Sequence, residues 1–258
     1  MALFSNFTVN RYETRLEMGR AAAHDTALAI KELLKQKDTV RMIFAAAPSQ
    51  NEFLDALVTE DVDFTRIEAF HMDEYVGLPA DAPQGFGNFL RRGLFDRVPF
   101  KAVHYINGGA EDIAAECARY SDLIREGVDI VCLGIGENGH IAFNDPHEAD
   151  FNDAALVKRV SLDEKCRMQQ VHDGCFARIE DVPTHALTLT IPALMNADYH
   201  FCIVPAATKA EAVYHTVYGS IGAHCPATSL RLCPHAVLYV DKDSGAQLTG
   251  FKRGGHAQ

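Results

Sequence analysis

Short apolar segments alternate with stretches of helical periodicity from residue 39 to residue 240, and this alternation limits the fold more than any other feature. No linker, repeat or low-complexity stretch interrupts it. Such alternation is typical of a parallel sheet covered by helices on both faces. We therefore predict one doubly wound, mostly parallel α/β domain over residues 1–258, with a loose tail from about residue 244. The predicted strands are residues 39–45, 66–70, 103–106, 128–133, 155–160, 186–191, 199–204 and 236–240.

Periodic apolar positions predict the helices between these strands. Residues 11–35 place alanine, leucine and isoleucine among charged side chains, as in a long amphipathic helix. Ser49 and Glu52 have the spacing of a capping box before a second helix that runs through Leu57. Further helices are predicted at residues 86–95, at residues 110–124 and from Lys209 onward.

Charge and cysteine content narrow the class of protein. A net charge of −11 argues against nucleic acid and against an anionic membrane as partners, because basic surfaces bind both. It does not exclude a small anionic substrate, which needs only a local basic pocket. Seven cysteines without a C-x-x-C pair favour a reducing compartment. No stretch resembles a membrane span or a secretion signal, so we predict a cytoplasmic protein.

A glycine-rich loop follows the predicted strand at residues 128–133. Gly134, Gly136 and Gly139 satisfy the pattern G-x-G-x-x-G, which marks dinucleotide-binding turns. That turn requires a helix directly after the glycines, with the pyrophosphate at the helix N-terminus. Here Pro146 and its neighbours interrupt the chain, and no apolar stripe at helical spacing follows. The glycines therefore do not indicate a nicotinamide or flavin site.

The same loop carries residues suited to acid–base chemistry. His140 and Asp145 lie close in sequence, with Glu137 and Asn138 just before them. A histidine near a carboxylate can transfer protons near neutral pH. Binding of a metal by His140 and His147 is disfavoured, because a seven-residue separation across a proline is no standard ligand spacing.

Two adjacent carboxylates, Asp73 and Glu74, follow the predicted strand at residues 66–70. They cannot both be buried cheaply without partners. Acids at the carboxyl end of a parallel strand lie where α/β proteins bind their ligands. From the residues alone, an acidic surface turn is an equally good interpretation.

Two other segments suggest an anion site. Ser49 caps a helix in one interpretation, and in the other the free N–H groups of that helix start bind an anion; the two are compatible. Lys209 stands in the first turn of a predicted helix, where the helix dipole disfavours a cation. A bound anion shared by Lys209 and the helix N–H groups would account for this position. An exposed surface lysine is the alternative.

Residues 72–78 (MDEYVGL) and 136–146 (GENGHIAFNDP) form two blocks at family-like spacing. Together they resemble the glucosamine-6-phosphate deaminase/isomerase group, which is related to the 6-phosphogluconolactonases. Weaker resemblance runs over residues 11–240 and includes residues 186–188 and 208–210. The lactonase branch usually has an arginine after its Asp-Glu pair, whereas this chain has Tyr75 there. The chain therefore resembles the deaminase branch more closely.

The resemblance implies conversion of an amino-sugar phosphate, first of all glucosamine 6-phosphate, to a ketose phosphate and ammonia, without metal or organic cofactor. By position, Asp73 matches the general base that moves a proton from C2 to C1. His140 matches the residue that opens the pyranose ring, and Asn138 and Asp145 match the positions that orient it. The implied substrate- and phosphate-binding positions are Ala46, Ala47, Ser49, Gly136, Gly139, His172 and Lys209.

The chain also departs from the family pattern. Asp145 stands where glutamate is commonest, and some members have aspartate in place of Asn138. The first phosphate loop, residues 45–50 (AAAPSQ), is not Thr-Gly-rich. The family's phosphate-binding arginine falls near His172. These departures leave the exact sugar open.

Two rival functions also stay open. One is hydrolysis of a sugar-phosphate lactone, with His140 activating water. The other is a non-catalytic sugar-phosphate sensor, which would need neither Asp73 nor His140. The sequence leaves open whether the chain forms a homo-oligomer.

Overall fold

The computed structural model describes residues 7–250. The strands in that range are β1 (Thr8–Arg11), β2 (Val40–Phe44), β3 (Ile67–His71), β4 (Asp73–Tyr75), β5 (Ala102–His104), β6 (Ile130–Leu133), β7 (Val157–Ser161), β8 (His185–Leu189), β9 (Tyr199–Val204) and β10 (Ala236–Val240). The α-helices in that range are α1 (Arg15–Leu34), α2 (Asn51–Leu57), α3 (Phe86–Leu90), α4 (Ile113–Arg125), α5 (Glu164–His172), α6 (Ile191–Met195) and α7 (Ala210–Tyr218). A π-helical turn, Arg91–Phe95, continues α3.

These strands form two sheets. The large sheet has the order β1-β10-β9-β6-β2-β3-β5, and all its neighbouring strands are parallel. The small sheet has the order β4-β8-β7, and its strands are antiparallel. Among residues 7–250, no helix is both long enough and apolar enough to span a bilayer.

Alternate side chains of each central strand face opposite sides of the large sheet. On β2, Met42 and Phe44 belong to one buried cluster and Ile43 to the other. Helices α1, α2 and α3 pack against the first cluster, and α4, α6 and α7 against the second. A strand buried on both faces is apolar throughout, which is why these strands were visible in the sequence. The predicted doubly wound α/β fold is confirmed.

The small sheet was not predicted. The segments at residues 155–160 and 186–191 are strands, but they pair antiparallel as β7 and β8 instead of joining the parallel sheet. On β7, Val157 and Val160 are buried, whereas Lys158 is half-buried and Arg159 is exposed. Val157 and Val160 are three residues apart, so they lie on opposite faces of β7 and belong to different buried clusters. No alternation of buried and exposed residues therefore marked this strand as part of an antiparallel sheet.

The start of the chain also differs from the prediction. Residues 8–11 form β1, which pairs with β10, and α1 begins only at Arg15. The helix starts there because Thr14 and Glu17 form a true capping box. The hydroxyl of Thr14 accepts from the N–H of Glu17, and the Glu17 carboxylate accepts from the N–H of Thr14.

The predicted capping box of Ser49 and Glu52 is wrong. Pro48 opens a 3₁₀ turn, Pro48–Gln50, whose preceding residue Ala47 makes no side-chain cap. Glu52 pairs with Arg15 of α1 at 2.9 Å instead. The start of the predicted loose tail is packed, because Ser244 and Leu248 are buried. Residues 251–258 of that tail lie outside the described residues.

The large sheet changes direction beside β2. The chain runs from β2 to β3 on one side and later returns with β6 on the other side. Ligands of α/β proteins bind at such switch points, outside the carboxyl ends of the strands. The loop after β6 contains no helix, and the next helix is α5, so the helix that a dinucleotide turn requires is missing there.

Candidate active site

A narrow cleft of about 60 Å³ lies at this switch point. Its walls come from the segments that follow β2, β3 and β6, from the start of α3 and from α5. The lining residues include Ala46, Ala47, Ser49, Gln50, Met72, Asp73, Phe86, Gly136, His140, Phe143, Gln169 and Gln170. The structure therefore brings together most of the predicted substrate-contacting residues.

Asp73 is the first residue of β4 and is 6% exposed. Its carboxylate faces the cleft and accepts no hydrogen bond from any residue in 7–250. Burial, and next the charge of Glu74, raise the pKa of Asp73 well above its usual value. A carboxylate of this kind is a stronger base than an exposed one. The predicted alternative of an acidic surface turn is wrong, because Asp73 and Glu74 are both buried.

His71 fixes the backbone next to Asp73. Its Nδ1 lies 2.9 Å from the carbonyl oxygen of Asp73, and its Nε2 accepts from the N–H of Ile106 at 2.8 Å. Nδ1 therefore carries the proton and donates. Complete burial lowers the pKa of His71 to about 4, so the ring is neutral at physiological pH.

His140 and Asp145 form the second reactive group. The Nδ1 of His140 lies 3.0 Å from the Oδ1 of Asp145, and both side chains are almost completely buried. Asn138 donates from Nδ2 to Asp145 at 2.9 Å and to Asp163 at 3.0 Å, and its Oδ1 accepts from the N–H of His140. Burial alone would raise the pKa of Asp145, but His140, Asn138 and the N–H of Asp163 lower it below its usual value.

Two glycines make room for this loop. A Cβ atom on Gly136 would lie 2.2 Å from the Cε1 of His140, so the imidazole packs directly on the Gly136 backbone. Gly139 has a φ of +85°, a conformation that favours glycine, and a Cβ there would lie 2.8 Å from the Sγ of Cys225. Gly136 therefore makes room for His140, and Gly139 makes room for Cys225.

Strand β8 connects the two reactive groups. Asp73 pairs with Thr188 in the small sheet. The hydroxyl of Thr188 accepts from the N–H of Phe143 at 3.0 Å, and the side chain of Asn144 donates to the carbonyl of Leu189 at 2.8 Å. The loop with His140 and the strand with Asp73 are thus attached to the same strand.

The segment after β2 offers unused donors to the cleft. Neither Ala46 nor Ala47 donates its backbone N–H to an acceptor within residues 7–250. Gln50 is buried beside them, and its Nε2 donates to the carbonyl of Ile203 and to the Oγ of Ser49, both at 3.1 Å. Unpaired N–H groups that face a cleft are suited to an anion.

Lys209 lies at the end of the 3₁₀ turn Ala207–Lys209, which precedes α7. It is 4% exposed, and its Nζ has no hydrogen-bond partner within residues 7–250. Burial lowers the pKa of Lys209, while Asp173 and Glu137 act in the opposite direction. The alternative of an exposed lysine is wrong. Lys209 is at the carboxyl end of β9, next to β6, and does not itself line the cleft.

Comparison with known proteins identifies the family. Residues 13–238 match the family model for glucosamine-6-phosphate isomerases/6-phosphogluconolactonase. The chain belongs to this family. It is 37% identical over 213 residues to the glucosamine-6-phosphate deaminase of Exiguobacterium sp., with 82% of each chain covered. It is 34% identical over 236 residues to that of Streptococcus sanguinis, with 90% of this chain and 95% of that chain covered. The resemblance predicted from the two sequence blocks is confirmed.

Solved structures place the fold in the same family. A monomeric glucosamine-6-phosphate deaminase superposes with a TM-score of 0.86 at 29% identity and covers 93% of this chain and 100% of its own. The 6-phosphogluconolactonase of Trypanosoma brucei superposes with a TM-score of 0.77 at 18% identity, covering 95% of this chain and 100% of its own. At that identity the second similarity shows the fold alone.

Within this member of the glucosamine-6-phosphate isomerase/6-phosphogluconolactonase family, His172 does not reach the cleft. Its side chain is 56% exposed, and its Nδ1 lies 3.7 Å from the Oε2 of Glu137. Helix α5 turns Gln169 and Gln170 toward the cleft instead. Gln169 accepts from the N–H of Glu137 at 2.9 Å and so helps to hold the loop after β6.

Sequence reasoning missed several residues that build this family member's site: Gln50, Asp163, Gln169, Gln170 and Thr188. Asp163 gave a usable signal, since an aspartate before a helix is a common N-cap and its carboxylate accepts from the N–H of Cys166. The glutamines gave none, because their inward direction depends on how α5 packs.

Within residues 7–250, two groups of three side chains have possible metal-ligand atoms within 4.8 Å of one another: His140, Asp145 and Cys166, and Asp145, His147 and Asp163. Asp145 belongs to both groups. Its two oxygens already accept from Asn138 and from the N–H of Asp163. The absence of a metal cofactor stays a prediction.

Proposed function

We propose that this chain converts glucosamine 6-phosphate and water to fructose 6-phosphate and ammonia. The observation that carries the proposal is one cleft that holds an unpaired, buried carboxylate, Asp73, and a histidine–carboxylate pair, His140 and Asp145. Aldose–ketose isomerisation needs a base for a carbon-bound proton and a second group for the ring oxygen. Membership of the deaminase-containing family supports the same reaction.

The first step opens the ring. His140 gives a proton to the ring oxygen while the C1 hydroxyl loses its own, which leaves an open-chain aldehyde. Asp145, with a lowered pKa, stays ionised and faces the Nδ1 of His140. It therefore orients the imidazole so that its other nitrogen meets the substrate.

Asp73 then moves one proton between carbons. It removes the proton from C2 while water protonates the aldehyde oxygen, which gives an enolamine, and it returns the proton to C1, which gives an iminium ion at C2. Water adds to the iminium carbon, and ammonia leaves. The raised pKa of Asp73 strengthens this base. Because the pKa of Asp73 is raised, turnover should decline on the acidic side at a higher pH than it would with an ordinary aspartate.

The phosphate lies toward the large sheet in this proposal. The free N–H groups of Ala46 and Ala47, the hydroxyl of Ser49 and the unpaired ammonium of Lys209 supply donors and one positive charge. A phosphate would neutralise a buried lysine that otherwise lacks a partner. His172 has no part in phosphate binding in this proposal, because its side chain is exposed and does not line the cleft.

We place the reaction in the cytoplasm. All seven cysteines are free thiols, which suits a reducing compartment. The proposed chemistry uses only side chains of this chain, and needs neither a metal nor an organic cofactor.

One substrate panel tests the function. Purified protein is given glucosamine, galactosamine and mannosamine 6-phosphates, and ammonia and ketose phosphate are measured together. We expect equal amounts of both products from glucosamine 6-phosphate, and none from the Asp73→Asn variant. Hydrolysis of 6-phosphogluconolactone without any ammonia release would establish the lactonase instead. Tight binding of sugar phosphates without any turnover would establish a sensor.

A further inference from the structure

Asp73 and Glu74 are adjacent, both buried, and bonded very differently. Asp73 accepts no hydrogen bond within residues 7–250. Glu74 accepts three from backbone N–H groups. Its Oε1 accepts from Tyr75 and Phe86, each at 3.0 Å, and its Oε2 accepts from Gly87 at 2.9 Å. These three donors are the partners that a buried carboxylate requires.

Two of the three bonds, those from Phe86 and Gly87, join two walls of the cleft. Glu74 belongs to β4, whereas Phe86 and Gly87 form the first turn of α3. Phe86 lines the cleft together with Asp73. The junction has no spare room, because a Cβ on Gly87 would lie 3.0 Å from the ring of Tyr105 and 3.5 Å from the Oε2 of Glu74. The carboxylate of Glu74 therefore sets the distance between β4 and α3.

Four buried titratable groups near Asp73 within residues 7–250 are neutral at neutral pH. Burial raises the pKa of Tyr75 on β4, of Tyr120 on α4 and of Cys166 on α5. Burial lowers the pKa of His71 on β3 to about 4.

Two further titratable groups, His140 and Glu74, lie near Asp73. His140 shares the cleft from the loop after β6. Glu74 lies on Asp73's own strand, and its three N–H donors favour the ionised carboxylate, although burial raises its pKa. Glu74 is the group whose charge opposes ionisation of Asp73.

We infer that Glu74 is a positioning residue of this site, which ties the strand of Asp73 to the first turn of α3 and sets a like charge beside Asp73. The inference rests on the proposed function for its kinetic readout only. Glu74 does not touch the substrate, and it acts through Asp73 and Phe86.

Two variants separate the two parts of this role. Glu74→Gln removes the charge and keeps one acceptor oxygen. Without the like charge, Asp73 stays ionised to lower pH, so the acidic limb of the kcat–pH profile moves down by about one unit. A purely structural role would leave that limb in place. Glu74→Asp keeps the charge but is one methylene too short for α3, so kcat falls while the limb stays near its wild-type position.

A matched control shows what loss of any buried carboxylate does. Asp25 is also buried, and it accepts from the hydroxyl of Tyr239 at 2.7 Å. Asp25→Asn is expected to lower the melting temperature and leave the limb unchanged. Hydrogen exchange of the Phe86 and Gly87 amides, which needs no substrate, is expected to accelerate in both Glu74 variants and not in Asp25→Asn.

The outcomes distinguish this inference from the proposed function. A wild-type protein inactive on the whole panel refutes the function, and the amide exchange of Phe86 and Gly87 then still tests the tie between β4 and α3. An active wild type with unchanged limb and unchanged exchange in Glu74→Gln overturns the inference. If Glu74→Gln does not fold, wild-type kcat and exchange in Glu74→Asp overturn it.

Discussion

The two sheets of this protein contribute different parts of the site. The small sheet carries Asp73 and, through Thr188, the loop with His140. The large sheet carries the free N–H groups after β2 and the buried ammonium of Lys209 after β9. In the proposed reaction, the first set moves protons and the second set binds the phosphate.

This division shows in the polar groups of each part. On the small-sheet side, burial raises the pKa of a carboxylate that lacks hydrogen-bond donors. On the large-sheet side, burial lowers the pKa of an ammonium that lacks an acceptor. Each group is left unpaired at a cost to folding. In the proposed reaction, substrate atoms complete both halves, so variants in the two halves should fail in different kinetic parameters.

Asp73→Asn is the variant with the largest expected effect. Loss of a general base typically reduces kcat by about 10²–10⁴, while substrate affinity stays within roughly tenfold. Steady-state kinetics and solvent deuterium incorporation at C1 of the product measure both. Near-wild-type turnover would contradict the assignment of proton transfer to the small sheet.

The same variant should be more stable at neutral pH. The folded protein raises the pKa of Asp73 above its unfolded value, so the contribution of this group to stability is present below the unfolded pKa and is lost as the pH rises through the folded pKa. Asparagine does not titrate. Melting curves should therefore show a larger gain for Asp73→Asn at pH 8 than at pH 5. An equal difference at the two pH values would disprove the pKa shift.

His140→Gln should affect substrates unequally. Ring opening of glucosamine 6-phosphate should slow by about 10²-fold or more, whereas proton exchange on open-chain fructose 6-phosphate needs only Asp73. Asp145→Asn should give a milder form of the same defect, and Asp145→Glu should be tolerated. His147→Gln is the control, since His147 lies on the same segment but is exposed. Equal losses on both substrates would remove His140 from ring opening.

Lys209→Ala should act on binding. A hydrogen bond to a charged group contributes about 1.5–3 kcal/mol, so affinity for phosphorylated sugars should fall roughly 10- to 150-fold, with little change for unphosphorylated ones. Lys158→Ala is the small-sheet control, because Lys158 pairs with Asp153 at 2.9 Å away from the cleft. Calorimetric titration measures both. Unchanged affinity for the phosphorylated ligand would move the phosphate site elsewhere.

Thr188→Val should have the smallest effect. It leaves the buried N–H of Phe143 without its acceptor, at a cost of about 1–3 kcal/mol. We expect a lower melting temperature and a several-fold lower kcat, with KM nearly unchanged. Thr216→Val, which removes a buried hydroxyl bonded within α7, controls for stability alone. Equal kcat values in the two variants would show that Thr188 does not hold the His140 loop in place.

The large sheet was predictable because burial on both faces leaves a local trace. Residues 199–204 and 236–240 were predicted with the bounds that β9 and β10 have. The strands of the small sheet have no comparable sequence pattern. Its strand β4 has three residues, two of them acidic, and it pairs with β8, which lies far along the chain. Pairing over such a distance is decided by tertiary packing.

The residues in the sequence motifs of the site could be predicted, but the residues that hold those motifs in place could not. Asp73, His140 and Lys209 lie in segments whose residue types are unusual for their place in the chain. His172 was wrong because the direction of α5 depends on packing, and that direction brings Gln170 to the cleft. The prediction that Ser49 caps a helix was wrong, because a 3₁₀ turn begins one residue earlier, at Pro48.

The attachment of both reactive groups to β8 has a mechanical consequence. The volume of the cleft, about 60 Å³, is smaller than the ~300 Å³ or more that small-molecule sites provide, so we expect its walls to separate when a sugar phosphate binds. Asp73 and the loop of His140 are bonded to one strand, and we expect this attachment to keep their relative position. We expect the widening to fall on the segment after β2, because Asp163 and Gln169 also bond α5 to the loop of His140. Substrate entry can then proceed without disturbing the relative aim of the base and the ring-opening acid.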